Sequence, residues 1–127
     1  MAQKENNIIP MIFDEAFYRK MATQKWRQQD YKKAAEYYEK VLELSPKDFD
    51  IQQHYAQCLV KLNIGKKAER LFYENIVKDF HVAESFYELS QLNIELNEPN
   101  KAFLFGINYV ILSEDKDFRE MLELSLI

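Results

Sequence analysis

Ala34, Ala68 and Ala102 stand 34 residues apart each time, and Ala22, Ala56 and Ser90 recur at the same interval. A repeat at this period restricts the fold more than any composition value, because each unit of such a chain buries its apolar face only against its neighbour. Two further columns agree with the first two. Met21, Tyr55 and Leu89 are large and apolar, and Tyr38, Phe72 and Gly106 are aromatic in two of three members. Together the columns tile residues 15–48, 49–82 and 83–116 without an insertion.

Apolar residues within a tile follow helical spacing, as in Phe17, Tyr18, Met21 and Trp26, then Tyr31, Ala34, Ala35, Tyr38, Val41 and Leu42. Each tile therefore reads as two helices. The breaks fall at Gln29-Asp30, Asn63-Ile64-Gly65 and Asn97-Glu98-Pro99, where Asn63 and Asn97 can turn left-handed, Asp30 can cap the next helix and Pro99 suits a first turn. Between tiles, Ser45-Pro46-Lys47-Asp48 offers a cap followed by proline, and Ser113-Glu114-Asp115 repeats the pattern ahead of a seventh helix expected from about Asp117. With two glycines and three prolines in 127 residues, the chain lacks the punctuation of a sandwich or barrel, so the expected class is all-α and a single domain.

The small columns have a mechanical cause. Two antiparallel helices joined by a short turn approach closely, leaving room only for Ala, Ser or Gly at the crossing, with Ala68 at that place in the second tile. This pattern resembles the tetratricopeptide repeat over roughly residues 15–116. The first tile carries the fullest match, in Tyr18, Met21, Ala22, Asp30, Tyr31, Ala34, Tyr38 and Pro46. The others depart from it: Phe80 and Glu114 stand where a closing proline is expected, and Gln52 and Gly106 each replace an aromatic.

The resemblance implies a right-handed superhelical solenoid of three helix hairpins plus a C-terminal helix over 117–127, preceded by an N-terminal extension over 1–14. It also implies a non-enzymatic module that holds a peptide or helix of a partner protein in a concave groove lined by the first helix of each repeat. Groove positions carried over in this way are Arg19, Thr23, Trp26 and Arg27 in the first repeat and Gln53, His54, Gln57 and Val60 in the second. In the third they are Glu84, Tyr87, Glu88, Gln91 and Glu95. Such a lining runs from basic to acidic, with Tyr87 as an exposed aromatic and Trp26 as a second apolar anchor. A subclass of the family clamps a partner's terminal carboxylate, using cations that Glu84 and Glu88 would replace here. An acidic peptide ending in a free carboxylate is therefore expected not to bind measurably.

Other chemistries find little support. No glycine-rich phosphate loop, Gly-x-Ser-x-Gly or His-Glu-x-x-His occurs, so no catalytic residue and no cofactor is expected. His54 and Cys58 lie one turn apart, as two metal ligands can, but a polar residue beside a core cysteine explains them better, and no metal is expected. Glu84 and Glu88 could do acid–base work only with a cleft and a nucleophile beside them. Tyr31, Tyr37 and Tyr38 with Trp26 could stack on bases, yet their helical spacing suits packing. Residues 1–64 carry +1 and residues 65–127 carry −5, matching the net charge of −4 and leaving no basic face for nucleic acid. A lone cysteine, no signal-like start and no long apolar run point to a cytoplasmic protein with no membrane partner.

A second functional reading stands beside the groove. Ile8, Ile9, Met11, Ile12 and Phe13 precede the first repeat, and Phe118, Met121, Leu122, Leu124, Leu126 and Ile127 follow the third. Solenoid ends need polar caps, so apolar ends suggest a structural assembly role, through further repeats or through a homodimer of terminal helices.

Overall fold

The computed structural model describes residues 14–125, which form seven helices and no strand. They are α1 (Glu15–Arg27), α2 (Tyr31–Leu44), α3 (Phe49–Lys61), α4 (Gly65–Val77), α5 (Val82–Glu95), α6 (Pro99–Ser113) and α7 (Lys116–Ser125). The helices gather into two compact units that divide between Asn63 and Ile64. In the first, α2 packs on both α1 and α3; in the second, α5 packs on α4 and α6, and α7 closes against α6.

The breaks follow the sequence. Asn63 and Asn97 take positive φ, at 62° and 57°, and so does Gln29, at 60° in the same register. The left-handed residue lets the next amide reach back and cover the helix end: Asp30 N–H donates to Lys25 O (2.9 Å) and Glu98 N–H to Asn93 O (2.8 Å). Aspartates open four helices. Asp14, Asp30, Asp48 and Asp115 accept from the backbone N–H of Phe17, Lys33, Ile51 and Phe118. The cap expected at Ser45 is thus supplied by Asp48; Ser45 ends α2 and donates its hydroxyl to Glu15. At Glu114, where the family closes with proline, φ is 59°, a conformation the proline ring forbids.

Every member of the two small columns is fully buried, and Ser90 Oγ donates to Ala102 O at 2.8 Å, so the two columns touch where α5 crosses α6. Tyr38, Phe72, Tyr55 and Leu89 are also buried, while Met21 is half-buried. Gly106 departs from its aromatic column for a local reason. A Cβ there would fall on Leu122 Cδ2 and lie 3.0 Å from Ser90 Oγ. Leu122 of α7 fills the place beside Gly106, and both Leu122 and Phe118 are buried. The C-terminal helix therefore packs onto the third repeat, with Met121 half-buried at its flank. Among the described residues no helix is long and apolar enough to cross a membrane. The apolar residues Ile8 to Phe13, and Leu126 and Ile127, lie outside the described residues.

Candidate functional site

In the first unit, α1 presents a polar face to solvent. Lys20, Thr23, Gln24, Arg27 and Gln28, with Arg19 at the edge, line a shallow depression of about 690 Å³. Thr23 spends its hydroxyl on Arg19 O at 3.0 Å. Lys20 and Arg27 make no ion pair among the described residues, so their charge is directed outward.

Arg19 is different. Its Nε donates to Glu15 Oε2 at 2.8 Å and its Nη2 to Asp48, the residue that caps α3. Hydrogen bonds from Ser45 and Arg19 hold the Glu15 carboxyl below its ordinary value. Partial burial pushes the Asp48 carboxyl up, but hydrogen bonds from Arg19 and from Ile51 N–H outweigh it and leave it lowered. The guanidinium is thus tied to the ends of α1 and α3 rather than offered to a partner. Both carboxyls have depressed folded values, so their stabilisation is complete above the unfolded carboxylate range and fades as pH falls through the folded values. Arg19→Gln is therefore expected to lower the urea midpoint most near neutral pH and hardly at all once the pH has fallen below the lowered folded values of both carboxyls. A loss of equal size at both pH values would show that the arginine contributes packing alone.

His54 is exposed; its Nδ1 lies 2.9 Å from Asp50 O, and its ring lies 5.9 Å from Tyr38 and 6.5 Å from Trp26. Trp26 is half-buried and edge-on to Tyr31 at 5.2 Å. Tyr37 packs against Phe17 and Tyr18, and burial pushes the Tyr38 hydroxyl up to about 12. These rings are therefore packing groups between helices. Burial also pushes the Cys58 thiol up to about 12, so it stays a neutral core group beside the His54 turn. Gln57 and Val60 are half-buried.

Gln53, expected in the lining, is buried at 3% exposure. Arg19, Gln53 and Tyr87 occupy one column of the repeat, and none of the three is exposed. The reason is angular, since successive helical residues are separated by about 100° and one step turns a side chain from core to solvent. The solvent-facing columns include Lys20 and His54, and Arg27, Lys61 and Glu95, of which Lys20 and Lys61 were missed. Their columns were already in the expected lining, through His54 and Glu88 and through Arg27 and Glu95.

In the second unit Glu84 and Glu95 are exposed and Glu88 and Gln91 half-buried. Tyr87 is not the exposed anchor expected. Its ring packs on Phe118 at 4.8 Å and Tyr109 at 5.1 Å, and its hydroxyl accepts from Gln91 Nε2 at 2.6 Å. Tyr109 in turn donates to Asp115 at 2.7 Å, and this bond, with that from Phe118 N–H, holds the Asp115 carboxyl below its ordinary value. Tyr87 thus fastens α7 to α5 and α6, its hydroxyl held from within α5 by Gln91. A surface that sequence reasoning missed lies beside them, a cleft of about 400 Å³ between α6 and α7 lined by Phe103, Ile107, Val110, Ile111, Arg119, Leu122 and Glu123.

Comparison with known proteins agrees with this architecture. Residues 25–72 match the tetratricopeptide repeat family. A solved structure titled as that of MamA protein is similar at a TM-score of 0.76 and 20% identity, over 87% of this chain and 61% of that one, which establishes the fold alone. The chain spans less than two thirds of that solved chain. No curated protein sequence matches it. The 34-residue columns, the all-α repeat architecture and the match over residues 25–72 together support the tetratricopeptide repeat as the family this chain resembles.

Proposed function

We propose that the chain is a non-enzymatic protein-binding module that takes an extended or helical segment of a partner on the exposed faces of its first helices. The observation that carries this reading is the open face of α1, where Lys20 and Arg27, without an ion pair among the described residues, line a depression of about 690 Å³. Helix α5 offers the opposite sign in Glu84 and Glu95. Charge of this kind steers and selects a partner more than it adds raw affinity. An acidic stretch of a partner suits the face of α1, and a basic stretch suits that of α5.

The reading also names what is refused. Glu84 and Glu88 stand where a terminal carboxylate would need cations, and like charges near a protein surface repel by up to about 4 kcal/mol at close range. Titration calorimetry with an acidic peptide ending in a free carboxylate is expected to give no measurable heat. A peptide with both acidic and basic stretches should bind, more weakly in high salt and in either Lys20→Glu or Glu84→Lys. Micromolar binding of the first peptide that vanished on amidating its terminus would overturn the assignment.

A further inference from the structure

The outer face of α6 breaks the pattern set by the other second helices. Leu104, Ile107 and Ile111 occupy the repeat positions held on α2 by Glu36, Glu39 and Glu43, all three exposed. On α4 the same positions carry Arg70, Tyr73 and Val77. Charge thus gives way to apolar side chains along the repeats, and Lys101 is the one charged residue left in α6. Yet these positions remain open in the folded chain: Leu104 is 62% exposed, Ile111 70%, and Phe103 and Ile107 about 40%. Phe103, Ile107 and Ile111 follow one another at four-residue steps, the seam by which one helix packs on another.

We propose that this face is the interface of a two-fold homodimer, in which α6 of each copy lies against the α6–α7 cleft of the other. Two arguments select a second copy as the occupant. The first is area. Four side chains at these exposures present roughly 450 Å² of apolar surface, about what a stable interface of about 800 Å² per partner needs when some 60% of it is apolar. The second is charge. The cleft's charged lining is Arg119 and Glu123, one of each sign and 3.3 Å apart, so the face is neutral in a chain of net charge −4. Two acidic copies can meet on a neutral face without like charges opposing, whereas a partner chosen by charge would call for a lining of single sign. An isologous contact also supplies the required seam twice. The apolar seam comes from α6 rather than from Phe118 and Leu122 of α7, suspected from the sequence, because those two are already buried within the unit. It is separate from the first-helix faces, and peptide binding can succeed or fail without it.

Sedimentation equilibrium on the full chain tests the assignment. Wild type is expected at twice the chain mass at tens of micromolar. Ile107→Glu with Ile111→Glu, which restores the carboxylates of the α2 positions, should weaken the dimer at least about a hundredfold, since each would be left unpartnered in an apolar contact. Circular dichroism should show its helices intact, and Leu104→Glu alone serves if that pair does not fold. Val77→Glu, at an exposed position on α4, should leave the dimer unchanged. A monomeric wild type at about 100 µM, or a dimer that survives the folded double variant, would overturn the proposal. So would a dimer dissolved by Ile9→Glu and Ile12→Glu instead.

Discussion

Replacing Phe118 and Leu122 together by alanine is expected to undock α7 and cost the second unit roughly 5–10 kcal/mol or more, since truncating a buried Phe costs about 3–5 kcal/mol and a buried Leu about 2–5 kcal/mol. Both side chains are almost fully buried. The effect should exceed a simple cavity cost for a structural reason. Helix α7 has 10 residues, below the length at which a helix holds itself in water, so its order comes from packing and from the Asp115 cap. Loss of Phe118 removes the ring on which Tyr87 and Tyr109 both rest, at 4.8 and 5.0 Å. The exposed cleft wall of α6 would then join surface that is already apolar, and higher-order association should follow. Circular dichroism and urea denaturation would measure the loss of helix and of stability. An unchanged midpoint would mean that α7 is an ornament of the unit rather than its cover.

How much of this was legible in the sequence depends on which physical constraint each residue answers to. The small columns were plain because Ala22, Ala34, Ala56, Ala68, Ser90 and Ala102 are all fully buried, as where Ser90 meets Ala102, and a steric limit repeats without exception. Asn63 and Asn97 announced their turns because asparagine tolerates the left-handed region. Gln29 adopts the same φ without that preference, held by the turn around it, and so gave no signal. The exposed faces were harder. One residue of register moves a side chain about 100° around a helix, so Gln53 was expected outside and lies inside while its neighbour His54 is exposed. Tyr87 was misjudged for another reason: its ring is covered by Phe118 of α7, which stands outside the repeat, and periodicity cannot report a contact made by a non-repeating element. The apolar face of α6 was visible in composition, but only burial distinguishes a stripe that is covered from one that is not.

Gly106→Phe restores the kind of residue that the first two repeats carry in this column, Tyr38 and Phe72, and is expected to destabilise the second unit by roughly 2–4 kcal/mol. Opposing effects decide the sign. Removing a glycine from a helix interior gains about 0.5–1 kcal/mol of propensity. Against it, the ring needs the space that Leu122 holds, since even a Cβ there meets Leu122 Cδ2 and sits 3.0 Å from Ser90 Oγ. Evicting Leu122 forfeits about 1.5–3 kcal/mol of burial, and any ring that stays in place strains the Ser90–Ala102 crossing besides. Gly106→Ala isolates the clash: at an open site it would stabilise, and here it is expected to destabilise. The double variant Gly106→Phe with Leu122→Ala makes the space shared rather than contested, so its loss should be smaller than the sum of the two single losses. Urea denaturation of the four proteins measures that coupling directly. Losses that merely add, or a stabilised Gly106→Phe, would mean that Leu122 does not occupy the place of the missing ring and that the glycine has some other cause.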